Sequence, residues 1–325
     1  MSSSKAEPKT PTGASGEQPQ RAARQVPAEP YPWKRVLIGS LVVIICWCIG
    51  FYREYKDVAD QHIKYAQDWT FNQLWTHASG SNVQRLQPYR TSLWEQIHGS
   101  VLEIGPGFGE SMDLIPNGRV PGSRAVSRFI AVEPNAFFHN KLAHNSQAAG
   151  FAVRYDPHTC PQAEEFNAAA GNSKLPVLTI VNGTLDNSLS IPEAVLNNAP
   201  YDFIASSMVL CSVNSIEDNV QTIFNLLAPG GKFVFIEHVR HTDEADHSCP
   251  GYERGSLDLR LWKMVQSVVT PVWSLFTGNC HLNRDTAKII EGIEGWKKVE
   301  YKTVRQMEGV LSKLTPIVCG VAIKE

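Results

Sequence analysis

The sequence predicts an α/β fold, a mostly parallel sheet with helices on both faces, preceded by one membrane-spanning helix. Three observations predict it. From Leu93 onward, short apolar runs of strand composition alternate with stretches of helical period. The first of those strands runs into a loop with glycine at alternate positions, Gly105-Pro106-Gly107-Phe108-Gly109. Near the N-terminus stands a charge-free apolar run of helix length, Val36 to Tyr52.

The chain has 325 residues and 43% hydrophobic side chains, enough for one large domain with appendages. Its formal net charge of −2 gives no electrostatic case for nucleic acid as a partner. The 7 cysteines are odd in number and irregular in spacing, which points to free thiols in a reducing compartment.

Residues 1–34 are rich in Ser, Pro, Gln and Ala and poor in large apolar side chains. Such a segment buries too little surface to offset its ordering entropy, so it is predicted to be disordered. Residues 35–52 form the predicted transmembrane anchor. As a helix, the charge-free run extends roughly 26 Å, near the lower limit for crossing a bilayer. Lys34, Arg35 and Arg53 flank it, and Trp33, Trp47 and Tyr52 suit the two interfaces. A core helix would show a polar face, and this run has none. A cleaved signal peptide would start nearer the N-terminus and end at a small-residue site. The basic residues before the run (Arg21, Arg24, Lys34, Arg35) and after it (Arg53, Lys56, Lys64) nearly balance, so charge does not decide the orientation.

Residues 53–90 are read as a juxtamembrane helical connector. Tyr55, Val58, Ala59, Ile63 and Ala66 recur at helical spacing. The plainer reading, a helix packing on the domain, is preferred to one that lies on lipid or covers the active site. The remaining residues, 91–325, form the predicted catalytic domain. Strands are expected near 100–104, 128–132, 177–182, 201–206, 231–237, 297–303 and 316–323. Helices are expected near 109–115, 135–148, 191–197, 216–228, 256–276 and 284–293. The polar stretch 154–176 reads as a surface insertion.

Glycine at 105, 107 and 109 lets the backbone turn tightly and approach a ligand. In open α/β sheets, ligands lie at the carboxyl ends of the strands, so the loop is placed for a nucleoside cofactor. The dinucleotide fingerprint needs glycine or alanine where this chain has Glu110. The spacing E-x-G-x-G-x-G from Glu103 is instead similar to the first motif of class I methyltransferases. A carboxylate at Glu103 suits the ammonium group of S-adenosylmethionine. Glu133, at the end of the second strand before Pro134 and Asn135, is placed to accept from ribose hydroxyls; a helix-start acid is the plainer alternative. Gly183, Thr184 and Leu185 follow the third strand, toward the adenine. Ser207 and Val209 close the fourth strand, and Leu226 to Lys232 supplies a Pro-Gly-Gly turn into the fifth.

Taken together, LEIGPGFG, AVEPN, SSMVLCSV, LLAPGGKFVFIEHVR, TPVWSLFTGNCHLNRDT and PIVCGVAIK resemble the membrane-anchored methyltransferase-like seven group over residues 70–325. The resemblance implies a class I Rossmann-like sheet of seven strands, S-adenosylmethionine as cofactor, and thiol S-methylation. It also implies a catalytic domain on the cytosolic face of the endoplasmic reticulum or of lipid droplets. The chain departs from the group at Pro106, where cysteine is common, and at Thr184-Leu185, where an acidic pair is usual.

Methyl transfer is an in-line displacement in which positioning supplies much of the rate. A thiol acceptor reacts as thiolate, so a base helps. His238, after the fifth strand, is the catalytic candidate, against the plainer reading of a packed structural histidine. Cys211 reads more readily as a small buried hydrophobe than as a pocket residue. Cys280, His281 and Arg284 are candidates to close the pocket from the far side. His238, His241, His247 and Cys249 do not follow a standard metal spacing, so no metal is expected there. The apolar stretch Leu257 to Phe276 fits a substrate-pocket wall, a membrane-facing surface or ordinary core.

The reading that unites these residues is a methyltransferase tethered through residues 36–52 and acting on a small lipophilic acceptor, with an alkyl thiol first. The alternatives are O- or N-methylation of a lipid or quinone-like molecule at a mitochondrial membrane, and a non-catalytic scaffold of the same fold. The intact Glu103, Gly105, Gly107, Gly109 and Glu133 speak against the scaffold.

Overall fold

The structure is a computed structural model that describes residues 33–116, 125–161, 175–186, 190–242, 257–304 and 310–325. The disorder expected for 1–34 falls almost wholly outside these residues, as do most of the 154–176 stretch, His247 and Cys249. Contacts divide the chain into two units, Met1–Ala59 and Asp60–Glu325.

Helix α1 runs Trp33–Trp94, with Tyr55 outside helical φ/ψ and Pro88 inside it. In the first unit every described side chain from 33 to 58 is exposed. The stretch Trp33–Ser81 is long and apolar enough to cross a membrane.

The second unit is a sheet of 8 strands. In chain order they are β1 (Gly99–Ile104), β2 (Val126–Val132), β3 (Ala152–Tyr155), β4 (Val177–Val181), β5 (Tyr201–Ser207), β6 (Leu227–His238), β7 (Trp296–Val304) and β8 (Ile317–Lys324). The helices are α2 (His139–Ala148), α3 (Glu193–Leu196), α4 (Ile216–Leu226), α5 (Leu257–Phe276), α6 (Thr286–Glu291) and α7 (Val310–Leu314). The spatial order is β3-β4-β2-β1-β5-β6-β8-β7. Only β8 runs antiparallel to its neighbours, β6 and β7.

The central strands are apolar on both sides because helices cover both faces. On one face Leu102, Ile204, Phe233 and Phe235 pack with Val220 and Ile223 of α4 and Ile290 of α6. On the other, Val101, Phe129, Phe203 and Val234 pack with Leu86 and Trp94 of α1 and Leu142 of α2. The end of α1 is therefore part of the domain core. Strand order reverses beside β1, with β2 on one side and β5 on the other. Loops leaving β1 and β5 border the crevice that forms there.

Two expectations are corrected. The sheet has an eighth strand, β3, pairing parallel to β4 at the edge. It is only 4 residues long and opens the stretch read as a polar insertion, so period-two patterning had little to act on. The helix expected at 109–115 is a single 3₁₀ turn, Met112–Leu114. Pro116 follows Ile115, which is extended, and a residue before proline is disfavoured in the α region.

Gly320 of β8 is enclosed: a Cβ there would press on the Glu300 carbonyl and lie 2.8 Å from Phe235 Cζ. Gly320→Ala is expected to destabilise the domain by about 1–3 kcal/mol through overpacking. Denaturant unfolding checks this, and an unshifted midpoint would contradict the packing.

Candidate active site

The glycine loop begins where β1 ends. Gly105, Gly107 and Gly109 have φ of 58°, 62° and 79°, a region that side chains with a Cβ rarely adopt. At Gly105 a Cβ would also lie 2.6 Å from Val209 Cγ2. The loop holds its shape through Gly109 N–H to the Pro106 carbonyl, 2.9 Å, and Gly105 N–H to the Val132 carbonyl, 2.8 Å.

Two buried carboxyls flank this loop. Glu103 points into the interior at the end of β1 and is 2% exposed. Its Oε1 accepts from Trp94 Nε1 at 3.3 Å, while its Oε2 is buried without a hydrogen-bond partner. Burial raises its pKa to about 7, against the opposing pull of Trp94 and the Arg90 charge. Glu133 follows β2 and accepts from Gly107 N–H at 3.0 Å and Asn135 N–H at 2.9 Å. Burial outweighs those bonds and raises its pKa to about 8. The two residues predicted for the cofactor are thus drawn to the same loop, one from each adjacent strand.

Asn135 does more than follow Glu133. Its side chain caps the next turn by accepting from Phe137 N–H at 3.1 Å. It also donates to the Asp68 carbonyl of α1 at 3.0 Å. Trp75 of α1 donates from Nε1 to Glu110 at 2.8 Å. Residues 60–94 therefore contact both the end of the glycine loop and the turn after β2. Pro106 is buried, and Pro134 is half-buried beside Glu133.

Across the crevice, the turn after β5 is organised by Glu237, which lies next to His238 in β6. Glu237 is fully buried and accepts from Ser206 Oγ at 2.8 Å, Val209 N–H at 2.9 Å and Leu210 N–H at 3.1 Å. Burial raises its pKa to about 7, against those three bonds. Ser207 Oγ accepts from Arg90 Nη2 at 3.2 Å. The Val209 backbone N–H is thus spent on Glu237, and its side chain backs the glycine loop. After β4, Gly183 sits against Pro192, Thr184 Oγ1 accepts from Asp186 N–H at 3.4 Å, and the Leu185 side chain enters the core.

His238 ends β6 and is buried. Its Nε2 lies 2.7 Å from Cys280 Sγ, which also receives Trp273 Nε1 at 3.3 Å. Cys211 completes the group, and the three ligating atoms all lie within 4.8 Å of one another. The closeness of the two thiols lowers the pKa of Cys280 and raises that of Cys211; the His238 charge adds to the lowering at Cys280. Burial opposes charge on His238, but Cys280 and then Glu237 outweigh it and raise its pKa. The segment carrying Cys280 is fastened to the turn after β5. His281 N–H donates to the Cys211 carbonyl at 2.8 Å, Asn279 Nδ2 to the Ser212 carbonyl at 2.9 Å, and Arg284 Nη1 to the Leu210 and Val213 carbonyls. The MVLCSV, EHV and GNCHLNRDT segments thus meet in space.

A profile of the methyltransferase domain family matches residues 74–267. The chain belongs to that family. Its fold and glycine loop are those of the class I S-adenosylmethionine-dependent methyltransferases. It is 28% identical over 192 residues to thiol S-methyltransferase TMT1A of Homo sapiens, covering 59% of this chain and 58% of that protein. It is 26% identical over 229 residues to thiol S-methyltransferase TMT1B of Rattus norvegicus, covering 68% of this chain and 73% of that one. The match thus spans less than two thirds of the length of TMT1A. Among solved structures, one of a possible histamine N-methyltransferase from Thermotoga maritima is 15% identical with a TM-score of 0.41, covering 80% of this chain and 100% of that one. Another, N-methyltransferase NodS from Bradyrhizobium japonicum with S-adenosyl-L-homocysteine, is 13% identical with a TM-score of 0.39, covering 73% of this chain and 86% of that one.

The residues fit that cofactor. The unpartnered Glu103 Oε2 can take a cation, and each Glu133 oxygen keeps a lone pair free for a hydroxyl. The three glycines let the loop turn closely, with neighbouring side chains where a Cβ would stand.

Sequence reasoning missed Glu237, Arg90, Trp94 and Trp75. The last three lie in α1, far along the chain from the strands they serve, and nothing local marks them.

Glu103 and Glu133 hold their protons more tightly in the folded than in the unfolded chain. Their contribution to stability is full below the ordinary value of 4.5 and is lost as pH rises through about 7 and about 8. Melting of the full chain is expected to fall across that window. Glu103→Gln should flatten part of the slope, and an unchanged slope would refute its burial as the cause.

Proposed function

We propose that this chain is a membrane-tethered methyltransferase that methylates a small lipophilic thiol. The observation that carries the reading is the pair of buried carboxyls, Glu103 and Glu133, beside the glycine loop, together with a buried His238 that meets two cysteines at the end of β6.

When bound, S-adenosylmethionine supplies an electrophilic methyl group on a sulfonium. Glu103 would hold the ammonium end, whose charge favours the ionised carboxylate over the proton that burial otherwise retains. Glu133 would accept from the ribose hydroxyls while Gly107 N–H and Asn135 N–H keep its plane fixed. The backbone around Gly183 and Thr184 borders the adenine side. Trp75 and Asp68 of α1 restrain the two loops from the outside. His238 acts at the acceptor end, where it stands at the end of β6. Holding acceptor and methyl in line is the main catalytic work asked of these residues.

The thiol class comes from the two thiol S-methyltransferases that the chain resembles. Two surfaces support the lipophilic character. One is the exposed apolar stretch of α1. The other is α5, where Leu257, Leu261, Met264, Val268 and Val272 recur every three or four residues and are all exposed. Helices with such a stripe lie in membrane interfaces. Arg260 and Lys263 on the same helix suit lipid headgroups. The cytosolic face of the endoplasmic reticulum or of lipid droplets is the proposed location, and a mitochondrial membrane is the alternative. Protease protection of an N-terminal tag tests the orientation.

Titration of the full chain in detergent should show S-adenosylmethionine and S-adenosylhomocysteine binding. Glu133→Ala should weaken it about ten- to a hundredfold, the worth of two buried hydrogen bonds to ribose hydroxyls. A folded protein that binds neither ligand overturns the reading. Labelled-methyl transfer to a panel of thiols, phenols and amines then sorts the acceptor, and transfer to phenols or amines alone would favour the lipid or quinone reading. The double variant Val268→Glu, Val272→Glu should raise KM for a long-chain thiol presented in vesicles and leave KM for a short water-soluble thiol unchanged.

A further inference from the structure

We propose that Cys211, His238 and Cys280 form a zinc site with one open position, and that this position receives the sulfur of the acceptor thiol.

The three side chains come from three separate places: the turn after β5, the end of β6 and the loop after α5. Their ligating atoms nevertheless all lie within 4.8 Å of one another. Zinc bonds of about 2.3 Å to sulfur and about 2.0 Å to nitrogen, at tetrahedral angles, put ligand atoms about 3.5–3.8 Å apart. That lies inside the observed spread. The His238–Cys280 distance of 2.7 Å has to open by about an ångström, a side-chain adjustment.

The chemistry of the donors selects the metal. Two sulfurs and one imidazole favour zinc over magnesium or calcium, which take oxygen ligands. Among the described residues three ligands and no fourth come together, which is the catalytic pattern of zinc sites, whereas structural sites are closed by four. Burial points the same way. The three residues are 1%, 1% and 8% exposed. A divalent cation balances two thiolates, leaving a neutral centre that an apolar interior tolerates.

The surroundings hold the ligands in place. Trp273 Nε1 donates to Cys280 Sγ at 3.3 Å, an outer contact that steadies a metal-bound thiolate. Glu237 fixes the backbone immediately before Cys211 through the N–H groups of Val209 and Leu210. His281 N–H fixes the Cys211 carbonyl at 2.8 Å. The ligands are therefore set by buried hydrogen bonds rather than by mobile side chains.

This inference rests on the thiol reading and deepens it. The acceptor's S–H proton passes to solvent as its sulfur binds zinc. The sulfur's electron pair then forms the new S–CH₃ bond. The pair from the breaking sulfonium C–S bond stays on the donor's sulfur, so a thiolate and a sulfonium become two neutral thioethers. The product thioether is a weaker zinc ligand than a thiolate and leaves. On this reading His238 serves as a ligand rather than as a base. The metal depends on a different set of residues from the His238, His241, His247, Cys249 spacing. Among the described residues, His241 instead hands its Nε2 to the Lys313 carbonyl at 2.6 Å.

The test uses the full chain in detergent, incubated with zinc under reducing conditions and dialysed. About one zinc per chain is expected by elemental analysis. Cys211→Ser, His238→Ala and Cys280→Ser should each lose most of it while keeping S-adenosylhomocysteine affinity within about twofold, which also shows that they fold. Cobalt substitution should produce a sulfur-to-cobalt charge-transfer band that shifts when hexanethiol is added. Absence of zinc from the folded wild type, or full zinc retention in the Cys211→Ser, Cys280→Ser double variant, overturns the site. A cobalt spectrum indifferent to hexanethiol overturns the acceptor role. Zinc binding without S-adenosylhomocysteine binding would sink the methyltransferase reading and leave the metal site standing.

Discussion

The carboxyl group of Glu237 is fully buried and receives the Ser206 hydroxyl and the backbone N–H groups of Val209 and Leu210. Glu237 and Ser206 are closed off from water, so the polar groups there must find each other. Met208, with a φ of 62°, is the strained point of the turn that results. That turn sends Val209 back against Gly105 and presents Cys211 to Cys280 and His238. One carboxyl thus links the back of the glycine loop to the sulfur–imidazole cluster.

The same constraint operates at β1 and β2. Glu103 and Glu133 are buried at neighbouring strand ends, and burial drives both pKa values upward. A cationic ligand that restores ionisation to Glu103 has to offset that cost. Helix α1 fastens these strand ends together: Trp94 touches Glu103, Arg90 reaches Ser207, and Trp75 holds Glu110. A segment that begins as a connector in the sequence ends as part of the domain interior, with Leu86 and Trp94 in the core.

Much of this was legible in the residues. Alternating β and α patterns mark a parallel sheet because strands buried on both faces need continuous apolar runs. The glycine spacing and the acids at 103 and 133 mark the cofactor side because backbone turns and strand-end carboxylates are local features. The short edge strand β3 and the 3₁₀ turn at Met112–Leu114 were not legible, because four residues carry too little periodicity and Pro116 overrides the helical pattern. Leu185 reads as a cofactor neighbour by position, yet its side chain packs in the core.

The sequence by itself determined the alternating strands and helices, the glycine loop, the acids that end β1 and follow β2, and the apolar N-terminal helix, since each is written in neighbouring residues whose spacing has a direct physical meaning. Only the tertiary structure decided that Cys211, His238 and Cys280 share one buried point, that Glu237 organises the turn between them, and that α1 reaches the glycine loop and the turn after β2. Those groups are separated by tens to hundreds of positions in the chain, and no local pattern records which buried polar atoms will have only each other for partners.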